Sequence, residues 1–353
     1  MEYPLITLGI PIYNAADLIE RTLLSALNQS YPNIEFLLID DKGNSMDVVR
    51  EVVSCHPRHE AVRIIDQVYN QGTGAARNAI VDNAKGEYLF TMDCDDVIIP
   101  DCIEILYRNI MEHPVDFVAA SFVRRDLQGN LYRGGCQYSD TLITEGAYAV
   151  AKYRYGKGRA IFVATWNKLY RTSFLREHHI HCIPHYLIDD PWFTYQVILS
   201  ARSCRLIPDC TLYFTYNPYS VTSIKEQEGY TDFLASQYLG TEILKGEYIS
   251  PLTDKLFYIG LLFDQMKMSL YHLYRTCESP KITEDKKEEY LTGFLTRHFP
   301  YPLWRWRRVM DKNLYKALPL FLFFALPMSV KKAFVRFFVK VDMRKLLRRW
   351  FHF

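Results

Sequence analysis

The chain has 353 residues, of which 49% are hydrophobic and 23% are charged, and its formal net charge is +2. This composition excludes an intrinsically disordered chain, and the length allows one large domain or two smaller ones. The eight cysteines are scattered without the close pairs of a metal site, and the N-terminus carries no apolar signal segment. We therefore expect a reducing, cytoplasmic location.

Strand-like and helix-like segments alternate over roughly the first hundred residues. Apolar runs predict the strands, and apolar residues at helical spacing predict the helices between them. The predicted strands are residues 5–12, 34–39, 62–68 and 87–92, and the predicted helices are residues 14–28, 47–54 and 73–84. This alternation predicts an α/β fold with a doubly wound parallel sheet and helices on both faces.

The pattern changes after about residue 116, where shorter strands are interrupted by glycines. We interpret this part as a continuation of the same domain with a more mixed sheet. From about residue 230 onward the sequence loses its strand character and is typical of helices. The sequence therefore predicts an α/β domain over residues 1–225 and a helical C-terminal region over residues 226–353.

A polar group follows each predicted strand of the N-terminal half. These groups are Tyr13 and Asn14, then Asp40 and Asp41, then Asn70 with the turn of residues 72–77, and finally Asp93-Cys94-Asp95-Asp96. The carboxyl ends of parallel strands meet at one edge of a sheet, and open α/β sheets bind their ligands at that edge. We therefore expect these groups to line one site.

The acidic run Asp93-Cys94-Asp95-Asp96 is the most informative of these groups. Carboxylates directly after a strand supply the oxygen ligands that Mg²⁺ and Mn²⁺ prefer, so the run predicts a site for a divalent cation and a diphosphate. An alternative interpretation is that Asp96 caps a helix beginning near Pro100. The other strand ends favour the first interpretation, because they supply the aromatic face and carboxylate that a nucleotide needs.

Several motifs in the same order resemble the family 2 glycosyltransferases of the GT-A fold. They are Pro11-Ile12-Tyr13-Asn14, Leu38-Ile39-Asp40-Asp41, Asn70-Gln71-Gly72, Ala76-Arg77-Asn78, Gly86-Glu87-Tyr88 and Asp93-Cys94-Asp95-Asp96. Farther along, Trp166-Asn167-Lys168-Leu169-Tyr170 and Asp189-Asp190 resemble the acceptor-side pattern of that family. That family usually has a Glu-Asp pair where this sequence has Asp189-Asp190, so Asp189 replaces the Glu.

The resemblance implies a GT-A-type doubly wound mixed sheet and an inverting, metal-dependent transfer from a nucleotide sugar such as a UDP-sugar. Tyr13 would stack near the base, Asp41 would accept a hydrogen bond from it, and Arg77 would help to hold the nucleotide. Pro11, Asn14 and Cys94 belong to the same nucleotide-sugar site.

The remaining roles concern the acidic residues. Asp93 would lie at or near the ribose, and Asp95 would ligate Mn²⁺ or Mg²⁺ between the two phosphates. Asp190 would be the general base that deprotonates the acceptor. From the residues alone, Asp189 and Asp190 could also form a loop or helix cap before Pro191.

Three further segments allow two interpretations each. Residues 213–222 resemble the family segment that closes over the diphosphate, with Ser220 and Thr222 as hydrogen-bond donors to phosphate. A strand followed by an ordinary turn would explain the same sequence. The loop Gly156-Lys157-Gly158-Arg159 is either a basic ligand contact or a surface turn. His178, His179, His181 and His185 lack metal-ligand spacing, so we interpret them as surface or acceptor-site residues.

Two other functions compete with glycosyl transfer. Gly72, Gly74 and Arg77 partly match a dinucleotide fingerprint, which would indicate an NAD-dependent dehydrogenase. Arg77 replaces the third glycine, however, and the turn follows the third strand instead of the first. A non-catalytic membrane scaffold is the second alternative, and its support comes from the C-terminal tail.

The C-terminal tail carries the basic charge of the chain. Residues 302–353 contain 13 Lys or Arg and 2 Asp or Glu, a local charge of +11, which leaves −9 for the remainder. The charge-free stretch of residues 317–330 is 14 residues long, shorter than the roughly 20 needed to span a bilayer.

Basic and aromatic residues of the tail predict a helix lying on an anionic membrane surface. They are the patch of residues 304–308 and the positions Arg336, Lys340, Arg344 and Arg348. The alternative is a helical hairpin packed on the protein with a solvated basic face. We therefore expect a peripheral protein on the inner face of the cytoplasmic membrane, with a glycan or lipid-linked acceptor and no nucleic-acid partner.

Overall fold

The structure is a computed structural model that describes residues 3–144, 146–156, 161–184, 189–218, 220, 223–224, 228–249, 257–296 and 318–340. The chain divides into two compact units. The first lies within residues 1–150 and 161–218, and the second lies within residues 151–160 and 219–353. A short internal segment therefore belongs with the C-terminal part of the chain.

The described residues of the first unit form a ten-stranded sheet. The strands are β1 (Ile6–Ile12), β2 (Ile34–Asp40), β3 (Val62–Asp66), β4 (Tyr88–Thr91), β5 (Val97–Ile98), β6 (Phe117–Arg125), β7 (Leu131–Cys136), β8 (Thr141–Ile143), β9 (Lys168–Arg171) and β10 (Cys204–Thr215). Their order in the sheet is β3-β2-β1-β4-β9-β6-β10-β5, with β7 paired to β6 and β8 paired to β10.

The direction of the strands decides which groups share an edge. Strands β1 to β4 are parallel to one another, and β9 is antiparallel to both β4 and β6. It follows that β6 runs in the direction of β4, and β10 is parallel to β6. The carboxyl ends of β1, β2, β3, β4, β6 and β10 therefore lie at one edge, which we call the ligand edge. The predicted doubly wound mixed sheet is confirmed.

Helices cover the sheet of the first unit. They are α1 (Ile19–Leu27), α2 (Met46–Ser54), α3 (Thr73–Asn83), α4 (Cys102–Glu112), α5 (Thr172–Glu177) and α6 (Asp189–Ser200), with a 3₁₀ turn at His59–Ala61. Every residue of β1 and β2 is buried, as expected for parallel strands covered on both faces. Helix α1 buries Ile19, Leu23, Ala26 and Leu27 in this core.

Two predicted boundaries were wrong for local reasons. The helix predicted from residue 14 begins at Ile19, because Asn14 has a left-handed φ of 47° that no helix accommodates. Its side-chain oxygen accepts a hydrogen bond from the Asn44 N–H instead. The third strand ends at Asp66 and not at residue 68, and Val68 is almost fully exposed.

The second unit is helical in its described part, as predicted from about residue 230 onward. Its first element is a π-helix over Lys152–Gly156, which continues a turn of helix at Ala149–Ala151 that begins in the first unit. The later helices are α7 (Asp232–Ile249), α8 (Tyr258–Glu278), α9 (Glu284–Leu295), α10 (Leu318–Ala325) and α11 (Met328–Lys340). Pro327 separates α10 from α11, because proline cannot continue the hydrogen-bond ladder of a helix.

Helix α10 packs on α8, and α11 packs on both α8 and α9. The Lys331 ammonium group is buried and donates to the carbonyl oxygens of Leu295, at 2.8 Å, and Phe324, at 3.4 Å. Lys332 and Arg336 both form ion pairs with Glu288 of α9. Among the described helices, none is long and apolar enough to cross a membrane. The basic patch at residues 304–308 and the positions Arg344 and Arg348 lie outside the described residues.

Candidate active site

Side chains of helix α1 hold the acidic turn after β4. The Thr22 hydroxyl lies 3.1 Å from the carbonyl oxygen of Cys94 and donates to that of Asp96 at 2.8 Å. The Arg21 guanidinium donates to the carbonyl oxygen of Asp95, at 3.0 Å, and to the Thr215 hydroxyl, at 2.8 Å. The backbone of the turn is therefore fixed through its carbonyl oxygens, and these contacts do not use its carboxylates.

Asp96 is a structural residue of this turn. Its carboxylate is fully buried and accepts a hydrogen bond from the Thr215 N–H at 2.8 Å. Burial raises its pKa well above the usual range, and Asp95 and Asp93 raise it further. The interpretation of Asp96 as a helix cap was wrong, because α4 begins at Cys102 and Asp101 precedes it. Asp96 instead connects the end of β4 to the end of β10.

Asp95 has the environment of a cation ligand. In the described parts of the chain its carboxylate has no ion pair and accepts no hydrogen bond from another side chain. Burial, with the neighbouring Asp93 as a second cause, raises its pKa to about 7. A carboxylate that is costly to ionise alone gains most from a nearby cation. Burial likewise raises the pKa of the Cys94 thiol, which therefore stays protonated.

The centre of the site is a buried arginine that binds three carboxylates. The Arg77 side chain, on α3, is 5% exposed. Its guanidinium donates to Asp93 at 2.7 Å and to Asp189 at 2.6 Å, and it lies 3.2 Å from Asp190. Burial alone would lower the pKa of Arg77, but the three carboxylates hold it well above its usual value. We call these four residues the Arg77 cluster.

The Arg77 cluster joins three elements that are distant in sequence. Helix α3 supplies the arginine, the turn after β4 supplies Asp93, and the first turn of α6 supplies Asp189 and Asp190. Charge-assisted hydrogen bonds of this length are strong when water is excluded. Burial raises the pKa of Asp189 to about 6, and Arg77 opposes that rise. Asp189, which stands where the family usually has Glu, thus touches the arginine directly.

Asp190 is positioned by the segment that precedes the Trp166 motif. One carboxylate oxygen accepts a hydrogen bond from the Thr165 N–H at 2.8 Å, and the side chain is 27% exposed. It lies in the first turn of α6, where Pro191 needs no N–H partner and an anion is favourable. Asp190 is therefore fixed in place and still accessible.

The Trp166 motif fixes this segment through buried polar groups. The Asn167 side-chain amide donates to the carbonyl oxygens of Ala120 and Ser121, at 3.0 and 3.1 Å. The buried Lys168 ammonium donates to the Ala164 carbonyl at 2.6 Å, and burial lowers its pKa to about 8. Sequence reasoning missed Thr165 and Lys168 as positioning residues, although Lys168 stands within the recognised motif.

The remaining predicted residues lie at the ends of β1 and β2. Pro11 is buried within β1, and Tyr13 just beyond it is 39% exposed. The Asp41 carboxylate accepts hydrogen bonds from the N–H groups of Gln71, at 2.7 Å, and Gly72, at 3.0 Å. Asp41 therefore holds the loop that leads into α3. Contacts of Tyr13, Asp41 and Arg77 with a nucleotide remain predictions.

The glycine turn before α3 differs from a dinucleotide site. A Cβ added at Gly74 would lie 2.6 Å from the carbonyl oxygen of Ile183. The space that this glycine provides is therefore occupied by protein backbone and not left open for a pyrophosphate. This contact argues against the dehydrogenase alternative.

The other predicted segments contribute little to the site. His181 pairs with Asp82 at 2.8 Å, and His178 and His179 are exposed. The Ser220 hydroxyl bonds to that of Ser223. The predictions for residues 157–159, His185 and Thr222 lie outside the described residues. Over the ranges that the structure covers, no group of three or more His, Cys, Asp or Glu could hold a metal by itself.

The sequence matches the profile of glycosyl transferase family 2 over residues 7–178. This part of the chain belongs to that family. An uncharacterized glycosyltransferase of Haemophilus influenzae is 33% identical over 132 residues, which is 37% of this chain and 52% of that protein. The chain spans about half the length of the curated relatives it matches.

Two solved structures share the fold. TarS of S. aureus, residues 1–349 in complex with UDP-GlcNAc, has a TM-score of 0.66 at 16% identity and covers 96% of this chain and 91% of its own. The mannosyltransferase PcManGT of Pyrobaculum calidifontis, in complex with GDP-Man and Mn²⁺, has a TM-score of 0.52 at 15% identity, with 97% and 88% covered. The GT-A glycosyltransferase fold predicted from the sequence is confirmed.

The Arg77 cluster predicts a pH-dependent loss of stability in Arg77→Met. Removing the guanidinium leaves buried carboxylates unpaired, so the free energy of unfolding should fall by about 3 kcal/mol or more at about pH 8. Asp189 has a folded-state pKa above its unfolded value, so protonation favours the folded state at low pH. The loss should therefore shrink as the pH falls to about 5. Urea unfolding at both pH values measures it.

Arg205→Met is the matched control, because Arg205 pairs with the exposed Asp140. The Arg205 side chain is 14% exposed, but its Asp140 partner is 60% exposed, so solvent screens the pair. Its loss should lower the free energy of unfolding by less than about 1 kcal/mol, with little pH dependence. Equal losses for the two variants would contradict the central role of the Arg77 cluster.

Proposed function

We propose that this family 2 protein is an inverting, metal-dependent glycosyltransferase that transfers a sugar from a UDP-sugar to a glycan or lipid-linked acceptor. The observation that carries the proposal is the placement of Asp95 and Asp190. Among the described residues, the Asp95 carboxylate has no ion pair. The Asp190 carboxylate is fixed but accessible, and the buried Arg77 cluster joins the two elements that carry them. A cation ligand and an accessible general base are the two groups that an inverting displacement needs.

The donor occupies the ends of β1 to β4 in this proposal. Tyr13 offers an exposed aromatic face for the base, and Asn14, Asp41 and the loop at Gln71 surround it. Complexes of TarS with UDP-GlcNAc and of PcManGT with GDP-Man support a nucleotide-sugar donor for this fold. The uracil preference rests on the family resemblance.

The residues of the acidic turn fit a divalent cation. In the part of the chain that the structure describes, the Asp95 carboxylate has no ion pair, and no group of side chains makes a complete metal site by itself. Mg²⁺ and Mn²⁺ are often held by one or two carboxylates together with substrate phosphates and water. Mn²⁺ or Mg²⁺ bound at Asp95 would neutralise charge on the leaving diphosphate. The Mn²⁺ complex of PcManGT supports this assignment.

Asp190 is the general base of the proposed reaction. It would take the proton from the acceptor hydroxyl while that oxygen attacks the anomeric carbon from the side opposite the diphosphate. The Thr165 N–H and Arg77 hold the carboxylate in place. Inversion at the anomeric carbon follows from a single displacement.

The C-terminal helices support a peripheral membrane location. Leu322, Leu326, Val330, Phe334 and Phe337 are exposed on α10, on α11 and in the turn between them. The packed face of α11 instead carries Lys331, Val335 and the ion pairs to Glu288. The packed-hairpin interpretation thus describes one face of α11. In this proposal, the opposite, apolar face contacts an anionic bilayer on the cytoplasmic side.

Asp95→Asn tests the metal site. The change removes an anionic ligand with little change in shape, so Mn²⁺-dependent UDP binding should be lost while the fold is kept. Calorimetric titration of UDP with and without Mn²⁺ measures this, and Asp101→Asn is the control carboxylate outside the site. Wild-type activity of Asp95→Asn at limiting Mn²⁺ would refute the assignment.

Asp190→Asn tests the general base. The amide oxygen can still accept the hydrogen bond from Thr165, so UDP binding should be retained. Transfer should fall about a hundredfold to ten-thousandfold, because the proton acceptor is lost. Screening nucleotide sugars for metal-dependent hydrolysis first identifies the donor for this assay. Loss of UDP binding would place Asp190 on the nucleotide side instead, and absence of any donor turnover by the wild type would favour the scaffold alternative.

The membrane face is tested by the double change Phe334→Asp and Phe337→Asp. Burying two phenyl rings in lipid contributes enough that their loss should weaken binding to phosphatidylglycerol vesicles at least about tenfold, while donor hydrolysis persists. Met111→Asp, an equally exposed apolar position on α4, should bind as the wild type does. Cosedimentation measures binding, and equal binding by all three proteins would contradict the membrane role.

A further inference from the structure

The ligand edge extends beyond the acidic turn to the ends of β6 and β10. Thr215, the last residue of β10, donates its N–H to Asp96 and accepts a hydrogen bond from Arg21. The next residue, Tyr216, donates its N–H to the Arg125 carbonyl at the end of β6, at 2.7 Å. The acidic turn and these two strand ends are therefore one connected surface.

Two tyrosine rings lie stacked on this surface. The ring centroids of Tyr132 and Tyr216 are 4.7 Å apart, and the ring planes differ by 5°. Tyr132 is on β7, opposite Arg124 near the end of β6, and it is 44% exposed. Beside the pair, the Arg125 guanidinium lies 3.4 Å from the centre of the Tyr213 ring. Backbone pairing and stacking therefore hold the exposed ring in a fixed orientation.

The strand order separates this tyrosine pair from the proposed nucleotide site. The residues for the base follow β1 and β2, the acidic turn follows β4, and the tyrosines follow β6 and β10 on the other side. The Trp166 motif reaches the same side, because the Trp166 ring packs on that of Phe214, with 5.7 Å between their centroids. The segment that positions Asp190 thus contacts the strand that ends at the tyrosine pair.

An exposed, fixed aromatic ring matches the chemistry of a sugar. The ring presents an apolar face to the C–H face of a pyranose, and the phenol hydroxyl can bond to a sugar hydroxyl. A ring held in place also loses little conformational entropy when a ligand binds. One face of the Tyr132 ring is covered by Tyr216, and the residue is still 44% exposed, so a ligand can reach it.

We propose that the exposed face of Tyr132, supported by Tyr216, binds a saccharide ring of the acceptor. The inference rests on the proposed function, since the acceptor must lie on the side of the acidic turn away from the nucleotide. It assigns a carbohydrate subsite to the β6–β7 hairpin, which carries none of the family motifs recognised in the sequence.

The test uses methyl glycosides of the common hexoses and N-acetylhexosamines as probes, with UDP and Mn²⁺ present. Saturation-transfer NMR should detect binding of at least one glycoside to the wild type. Tyr132→Ala should weaken that binding about fivefold to tenfold, and Tyr132→Phe should retain it because the ring is kept. Leu131→Ala, at the exposed neighbouring position on β7, should bind as the wild type does.

Further measurements separate this inference from the proposed function. Tyr132→Ala should keep the wild-type affinity for UDP and the wild-type rate of donor hydrolysis, while its KM for the bound glycoside as acceptor rises and kcat changes little. Absence of any glycoside binding, or equal binding by Tyr132→Ala and the wild type, would overturn the inference. Absence of donor hydrolysis in the wild type would overturn the proposed function, and it would leave the glycoside-binding result to be judged by itself.

Discussion

The ion pairs of Arg77 are the interaction on which the candidate site depends. Three carboxylates that would repel one another and resist burial are held together because one guanidinium lies between them. The same contacts determine where helix α6 starts relative to the turn after β4. The position of the proposed base is therefore set by a residue that belongs to neither element.

This arrangement assigns different tasks to similar residues. Asp93 and Asp189 form ion pairs with the arginine, and Asp96 accepts a buried hydrogen bond from Thr215. Asp95 has no ion pair with any residue that the structure describes. Among the five acids of the two short motifs, the surroundings thus decide which one suits a cation. The residue type alone does not distinguish them.

Most of the sheet and its ligand edge could be predicted from the sequence, because buried parallel strands leave a periodic apolar signal. The start of α1 could not, since it depends on the backbone angle of Asn14. The link between Arg77 and Asp189 spans 112 residues and leaves no local pattern. The stacking of Tyr132 on Tyr216 likewise depends on how two distant strands meet at the edge.

The short segment around Tyr155 has a consequence for the order in which the chain folds. It lies within residues 151–160, yet it packs on α8, where the Tyr155 carbonyl leaves no room for a side chain at Gly260 and Gly156 lies against Phe257. During synthesis, this segment leaves the ribosome about a hundred residues before its partner helix. The Tyr155 side chain can therefore become buried only after α8 has been synthesised. Cleavage after Pro218 would keep every candidate active-site residue, but it would remove the helix on which Tyr155 packs.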